Sequence, residues 1–221
     1  MTSVVNTKFA VKPVAAALAL ALSAGVAFAA PTPNQMPGAG RVVAISLGGT
    51  TTAGAVNAPL VGLVSGGGIG VDGKVVLRWG GAGAPVDLTN PSGFNLGSNA
   101  TLFFNSTVAG SAVLNIDASG NPSQIYGNLI STIAPTLAVG PLGPTVGGFA
   151  PAIFVSNANG IVVGAGGRIV APMGVGLLGA NLDNSVSIDD FVANNGWVGA
   201  PLLGTSYISF GTLPSTGATP G

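Results

Sequence analysis

Few side chains in this 221-residue sequence could take part in catalysis. It contains no His and no Cys, which excludes a Ser-His-Asp triad, a Cys-His pair and most zinc sites. Asp189 and Asp190 are the one adjacent acidic pair, so a carboxylate pair of the glycosidase kind is the remaining route. Neighbours on a strand point to opposite faces, and the pair is better interpreted as a solvated corner before Phe191. A β-solenoid polysaccharide-degrading enzyme is therefore the weaker alternative, and no catalytic residue is predicted.

Two glycine-rich segments, residues 68–73 and 174–179, fit the G-x-G-x-x-G pattern of dinucleotide-binding loops. Such a site also needs a strand before the loop, a helix that opens on it and an acidic residue about 20 positions further on. Neither segment leads into a helical pattern, and chance matches are expected among 37 glycines. Both segments are interpreted as turns, and we expect no cofactor and no metal.

The first 29 residues have the pattern of a secretory signal peptide. Lys8 and Lys12 precede an apolar stretch over residues 14–28, and Ala27-Phe28-Ala29 supplies the small-x-small cleavage pattern. A transmembrane anchor is the alternative, but the stretch is short for a bilayer span of about 20 residues and is rich in Ala. Gly, Asn, Asp or Pro interrupts every later apolar run. We therefore predict cleavage after Ala29 and a mature chain that is not an integral membrane protein.

Charged residues are rare in the sequence. They make up 5% of it, against about 25% in an ordinary soluble domain. Removal of Lys8 and Lys12 leaves four basic residues against six acidic ones, a net charge near 4 − 6 = −2. Such a surface is unsuited to nucleic acid, whose phosphates must be neutralised, and to anionic lipid. With 48% hydrophobic residues, the chain is also too apolar for a disordered protein.

Short apolar runs bounded by Gly, Asn and Pro predict a succession of strands. They cover residues 41–47, 58–64, 74–79, 100–104, 112–116, 123–129, 153–155, 161–163, 168–170, 175–178 and 186–188. Residues 80–91 are predicted to form a loop and residues 130–151 an excursion, and no stretch after the leader has a convincing helical period. The composition leaves a sandwich and a β-solenoid open, while the spacing after residue 153 is typical of solenoid coils.

Residues 154–164 contain the most informative turn. Asn157 and Asn159 tolerate positive φ and can bond their own backbone, and Gly160 adopts positive φ without steric cost. The pattern predicts a tight reversal between two apolar strands that returns Ile161 to the interior. An ordinary Asn-Gly hairpin is the alternative on these grounds.

The run Asn-Ala-Asn-Gly-Ile at residues 157–161 resembles the Asn-Pro-Asn-Gly-Ile signature of the filamentous haemagglutinin N-terminal domain. That domain is the secretion domain of two-partner secretion exoproteins. Further blocks agree in order: Trp79, Phe-Asn-Leu-Gly at 94–97, Phe-Phe-Asn at 103–105, Val-Leu-Asn at 113–115, Gly-Asn-Pro-Ser-Gln-Ile-Tyr-Gly at 120–127 and Asp-Phe at 190–191. Ala158 in place of Pro, and insertions at 80–93 and 130–151, depart from the family pattern.

The resemblance implies an all-β fold, a right-handed parallel β-helix (β-solenoid) with an N-terminal β-cap and small extra-helical strands. It divides the chain into a signal peptide (1–29), a linker (30–40), a secretion domain (41–211) and a flexible tail (212–221). The chain would then be a small stand-alone member or a fragment of a longer exoprotein. The expected partner is a cognate outer-membrane transporter barrel with periplasmic docking domains, which exports the chain through the periplasm to the Gram-negative cell surface or the medium.

Two blocks are expected to shape this domain without catalysing a reaction. They contribute Asn157, Asn159, Gly160 and Ile161 at the turn, and Asn121, Pro122, Gln124 and Gly127 upstream. An alternative is a surface adhesin or matrix subunit, in which the same fold binds glycan or a host protein. A host or neighbouring-cell surface would then be its partner.

Overall fold

A computed structural model describes residues 28–47, 50–51, 57–133, 139–140, 143–144 and 148–193. The predicted signal peptide, apart from its last two residues, and the predicted tail at 212–221 lie outside the described residues, as does most of the predicted excursion after residue 133. The elements below belong to the compact unit that begins at Pro31.

The described residues form fifteen strands and one helix. The strands are β1 (Gly40–Leu47), β2 (Thr50–Thr51), β3 (Pro59–Leu60), β4 (Gly68–Gly70), β5 (Lys74–Trp79), β6 (Thr101–Ser106), β7 (Ala112–Asp117), β8 (Ser123–Ile125), β9 (Asn128–Ile133), β10 (Val139–Gly140), β11 (Gly143–Pro144), β12 (Ala152–Ser156), β13 (Ile161–Val163), β14 (Arg168–Val170) and β15 (Val175–Leu178). The helix is α1 (Ser185–Ala193).

The strands pair mostly in parallel, and from β4 to β9 and again from β12 to β15 each strand joins a different sheet from the strand before it. One sheet has the order β15-β12-β7-β5-β1-β2, with β3 also paired to β1; a second has the order β14-β9-β6-β4; β13 pairs with β8, and β10 with β11. Antiparallel pairing is found at β1 and between β10 and β11, and the other pairs are parallel. The chain is therefore mostly β, with parallel sheets and little helix, which confirms the all-β prediction.

One apolar core draws its side chains from three of these sheets. Leu77 on β5, Leu102 on β6, Ile125 on β8, Leu129 on β9 and Val155 on β12 are all buried in it. The strands that contribute them lie up to seven strands apart in sequence, from β5 to β12, so the core forms only when the strands stack in register. Among the described residues, no helix has the length and apolar character that a membrane crossing requires.

A second, smaller core lies on the outer face of the largest sheet, under helix α1. Phe191 and Val192 of the helix pack there with Leu114 and Phe154. The rings of Phe154 and Phe191 meet edge-to-face, with centroids 5.9 Å apart and planes at 75°. The helix thus covers apolar side chains that the alternation of the strands turns away from the main core.

The predicted strand over residues 186–188 is wrong, because these residues lie in helix α1. Asn184 caps the helix, since its side-chain Oδ1 accepts a hydrogen bond of 2.9 Å from the Ser187 N–H. Ile188, Phe191 and Val192 then follow at the i, i+3, i+4 spacing that places them on one face. The helix is short, and its apolar face is defined by the sheet that it covers.

Other strands differ from the prediction in their bounds. The predicted run 123–129 divides at residues 126–127 into β8 and β9, which belong to different sheets. Gly68–Gly70 is not a turn, because it pairs with residues 103–105 of β6, and residues 175–178 are strand β15 within the second glycine-rich segment. Met36, in the predicted linker, is fully buried in the main core, so the packed region begins before residue 41.

Candidate functional site

Asn157 lies directly after β12 and joins two of the predicted blocks. Its side chain is 1% exposed. Nδ2 donates hydrogen bonds to the Asn121 carbonyl oxygen at 2.8 Å and to the Ser123 Oγ at 2.9 Å, while its N–H donates to the Leu178 carbonyl at 3.0 Å. One buried residue therefore links three passes of the chain, by its side-chain amide on one side and its backbone N–H on the other.

The same residue builds the turn that leads from β12 to β13. Its Oδ1 accepts a hydrogen bond of 2.8 Å from the Asn159 N–H, and its carbonyl accepts one of 3.1 Å from the Gly160 N–H. Gly160 has a φ of 96°, which glycine adopts without steric cost. Asn157 bonds its own backbone and Gly160 adopts positive φ, as their residue types predict. The hairpin alternative is wrong, because β12 pairs with β7 and β15 while β13 pairs with β8.

Asp117 completes this corner and was not singled out from the sequence. Its Oδ2 accepts hydrogen bonds from the Phe94 N–H at 3.0 Å and the Ser123 hydroxyl at 2.7 Å, and its Oδ1 accepts one from the Ser119 N–H at 3.0 Å. Asp117 and Asn157 thus meet on the Ser123 hydroxyl. We call Asp117, Ser123 and Asn157 the polar ladder. A lone carboxylate between a buried strand and a turn-forming segment is the signal that could have identified Asp117.

The remaining predicted residues lie around the polar ladder in different roles. Asn121 contributes its backbone carbonyl, and Pro122 is buried beside it. The Gln124 N–H donates to the Asn95 Oδ1 at 2.9 Å, which connects β8 to the loop that precedes β6. Ile161 is half-buried against the main core.

Gly127 occupies a position with no room for a side chain. A Cβ there would overlap the carbonyl oxygens of Gly97 and Ala100. The Gly127 carbonyl accepts a hydrogen bond of 2.9 Å from the Arg168 N–H, so the glycine lies between two passes of backbone. The lack of room for a side chain, rather than any chemistry, explains why glycine occupies this position.

A shallow depression of about 250 Å³ borders the corner on the outside. Asn159, Asp117, Arg78 and Asp183 are among the residues that line it. The Arg78 Nη2 and the Asp183 Oδ2 lie 2.6 Å apart, so these two charges of the lining neutralise one another. The Asn159 side chain is exposed and makes no hydrogen bond within the described part of the chain.

The candidate catalytic carboxylates are arranged differently from the sequence prediction. Asp189 and Asp190 lie in helix α1, where neighbours project about 100° apart. Asp117 is 5% exposed, and both of its oxygens accept hydrogen bonds from the chain itself. The part of the chain that the structure describes contains no group of three Asp side chains that could hold a metal ion.

Asp87 organises the loop after β5 and predicts an acid-dependent loss of stability. Burial by itself would raise its pKa, but hydrogen bonds from the backbone N–H groups of Asn90, Thr89 and Gly62 hold the pKa below the usual 3.8. A depressed carboxylate pKa stabilises the fold above the pKa of the unfolded chain, and this contribution is lost as the pH falls through the folded-state pKa.

We expect the Asp87→Asn variant to lose less stability than the wild type between about pH 5 and pH 2. Urea titrations at each pH would measure this, and a Thr89→Ala control, which keeps the N–H, should retain the wild-type dependence.

No family model, curated protein or solved structure matches this chain. The resemblance to the secretion domain therefore depends on the residues of the two blocks and their order. The hydrogen bonds between those blocks are the structural observation that bears on it.

Proposed function

We propose that this chain is a non-enzymatic secreted exoprotein whose β-domain is recognised by a cognate outer-membrane transporter for two-partner secretion and folds at the cell surface. One observation carries the proposal. Asn157, in the block that resembles the family signature, donates its side-chain hydrogen bonds to Asn121 and Ser123 of the upstream block, 36 and 34 residues away. Two blocks that resemble the family in sequence thus form one corner.

The proposed fold of this domain is a right-handed parallel β-helix with an N-terminal β-cap. The in-register parallel stacks support it, for example Leu77 beside Asn115 and Asn115 beside Val155. The change of sheet from strand to strand between β3 and β9 and between β11 and β15 is what a coiling chain would produce, and parallel crossovers are almost always right-handed. The antiparallel strand β1, which pairs with β5, is suited to cover the first coil.

Folding outside the cell would make export effectively one-way. No ATP is available beyond the inner membrane, so a favourable process on the outer side is required. A net folding free energy of about 5–15 kcal/mol, typical of a domain, biases the chain toward the folded exterior by a factor of about 10³ or more. The chain has no Cys, so this folding requires no disulfide formation.

Loss of the two turn asparagines is expected to abolish secretion. The full chain would be expressed in a Gram-negative host together with the outer-membrane barrel encoded beside its gene, and the chain in the medium would be measured by immunoblot. We expect export of the wild type and none of the Asn157→Ala/Asn159→Ala variant. Undiminished export of the variant would contradict a role for the asparagines. The absence of both a neighbouring barrel and export would contradict two-partner secretion.

A single variant separates recognition from folding. The Asn159 side chain is exposed and unbonded in the described structure, so Asn159→Ala should change the free energy of unfolding by less than about 0.5 kcal/mol. If the transporter reads this amide in the unfolded chain, export of Asn159→Ala falls while the stability of the purified variant stays the same. Asn34, which is also exposed, provides the Asn34→Ala control, and its export should match the wild type.

A surface adhesin is the second candidate, and one loop favours it. Val86 and Leu88 are among the most exposed apolar side chains, with Leu88 96% exposed, and Asp87 between them holds the loop in place. Exposed apolar side chains on an ordered loop are suited to contact another surface. Binding of the purified chain to cells, together with the absence of a partner transporter, would favour this function.

A further inference from the structure

The core-facing side of the largest sheet ends, at strand β15, in exposed apolar side chains. Val175 and Leu177 of β15 lie in register with Ile153 and Val155 of β12. Ile153 and Val155 are fully buried, whereas Val175 is 45% and Leu177 43% exposed. These two side chains continue an interior column whose next layer is missing from the described residues.

The other sheets end in the same way. Val163 of β13 is in register with Ile125 of β8, and Ile125 is fully buried while Val163 is 43% exposed. Ile169 of β14 is in register with the fully buried Leu129 of β9 and is itself only half-buried. We call Val163, Ile169, Val175 and Leu177 the open end.

The strands of the open end also have an unpaired edge. Within the described ranges, β13, β14 and β15 each pair with one neighbour only. An apolar surface beside unpaired strand edges favours association with a further strand. What covers the open end should therefore supply both apolar side chains and extended backbone.

We propose that residues 197–210 of the same chain cover the open end. This segment contains Trp197, Leu202, Leu203, Ile208 and Phe210, and residues 194–221 include no charged side chain. The run Tyr-Ile-Ser-Phe at residues 207–210 has the aromatic and β-branched composition of a strand. Its apolar residues alternate with Ser209, as they do in a strand with one buried face.

The segment starts close enough to reach this surface. Helix α1 ends at Ala193, and Val192 packs in the same outer cluster as Leu178, the last residue of β15. The nine residues from Ala193 to Leu202 can extend to about 30 Å. The inference is independent of the secretion proposal, because it depends only on the open end and on the residues that follow the helix.

Cysteine pairs test this contact directly, because the natural chain has no Cys. Leu177→Cys would be combined in turn with Leu203→Cys, Ile208→Cys and Phe210→Cys in the full chain and oxidised mildly. At least one pair should form a disulfide within one chain, since the Cα atoms must approach to about 4.4–6.8 Å. Mass spectrometry and gel mobility would detect it. The control pair Leu88→Cys with Ile208→Cys should stay reduced.

Each other outcome of this experiment contradicts the proposal. Disulfides formed only between chains would show that a second copy covers the open end. The absence of any disulfide for all three Leu177→Cys pairs would show that residues 203–210 do not reach it.

Hydrogen exchange provides a second measurement. In the full-length Ile208→Asp/Phe210→Asp variant, the amides of β15 should exchange at least about tenfold faster, because local opening then costs less. The amides of β7 should keep their protection, which shows that the domain remains folded. A Leu88→Asp control should leave both strands unchanged, and unchanged exchange of β15 in the double variant would overturn the proposal.

Discussion

Replacement of Gly127 by alanine is expected to lower the free energy of unfolding by at least about 3 kcal/mol or to prevent folding. The added Cβ would overlap the carbonyl oxygens of Gly97 and Ala100. Neither oxygen can move freely, because Gly97 accepts a hydrogen bond of 2.9 Å from the Ala100 N–H and Ala100 accepts one of 2.8 Å from the Asn128 N–H. Relief of the overlap would separate two neighbouring passes of the chain.

Urea denaturation followed by circular dichroism would measure the effect of Gly127→Ala. Gly179→Ala is the matched control, since no atom lies within 4 Å of a Cβ at that position and its φ is not in the left-handed region. The control should have the wild-type midpoint. Equal stability of the Gly127→Ala and Gly179→Ala variants would contradict the close approach of backbone at residue 127.

Replacement of Asn157 by alanine is expected to cost about 2–4 kcal/mol, because it removes several hydrogen bonds from a buried site. The variant loses the bonds to the Asn121 carbonyl, the Ser123 hydroxyl and the Asn159 N–H. The midpoint of urea unfolding should therefore fall well below that of the Asn159→Ala control.

The Asn157→Asp variant distinguishes the contribution of the turn to stability from that of the polar ladder. A carboxylate keeps the acceptor for the Asn159 N–H but has no donor for the Asn121 carbonyl or the Ser123 hydroxyl, which already donates to Asp117. We expect this variant to be at least as unstable as Asn157→Ala at neutral pH. Wild-type stability of Asn157→Asp would show that the turn alone accounts for the role of this residue.

Much of the local structure could be predicted from the sequence. The bounds of β5, β13, β14 and β15 match the predicted runs, because β-branched residues between glycines favour extended backbone regardless of the partner strand. The turn at residues 157–160 was predictable for the same reason. The Asn157 Oδ1 bond to the Asn159 N–H and the positive φ of Gly160 involve only neighbouring backbone.

Helix α1 and the division between β8 and β9 were not predictable in this way. The apolar side chains of the helix are buried against the outer face of a sheet, where they meet Leu178 of the nearby β15 but also Leu114 on β7 and Phe154 on β12, which lie much further back in the sequence. The break at residues 126–127 follows from a change of sheet, from the sheet of β8 to that of β9. In both cases the local structure depends on the sheet that the segment joins or packs against.

Residue types and neighbouring backbone were enough to establish the β character of the chain, the exclusion of His and Cys chemistry and the position of the asparagine corner. Only the tertiary structure distinguished the buried Asn157 from the exposed Asn159, added Asp117 and Ser123 to the corner, and gave Gly127 its steric role. The physical reason is that the partner of a buried polar group, and the space left for a side chain, depend on which distant strand lies beside it.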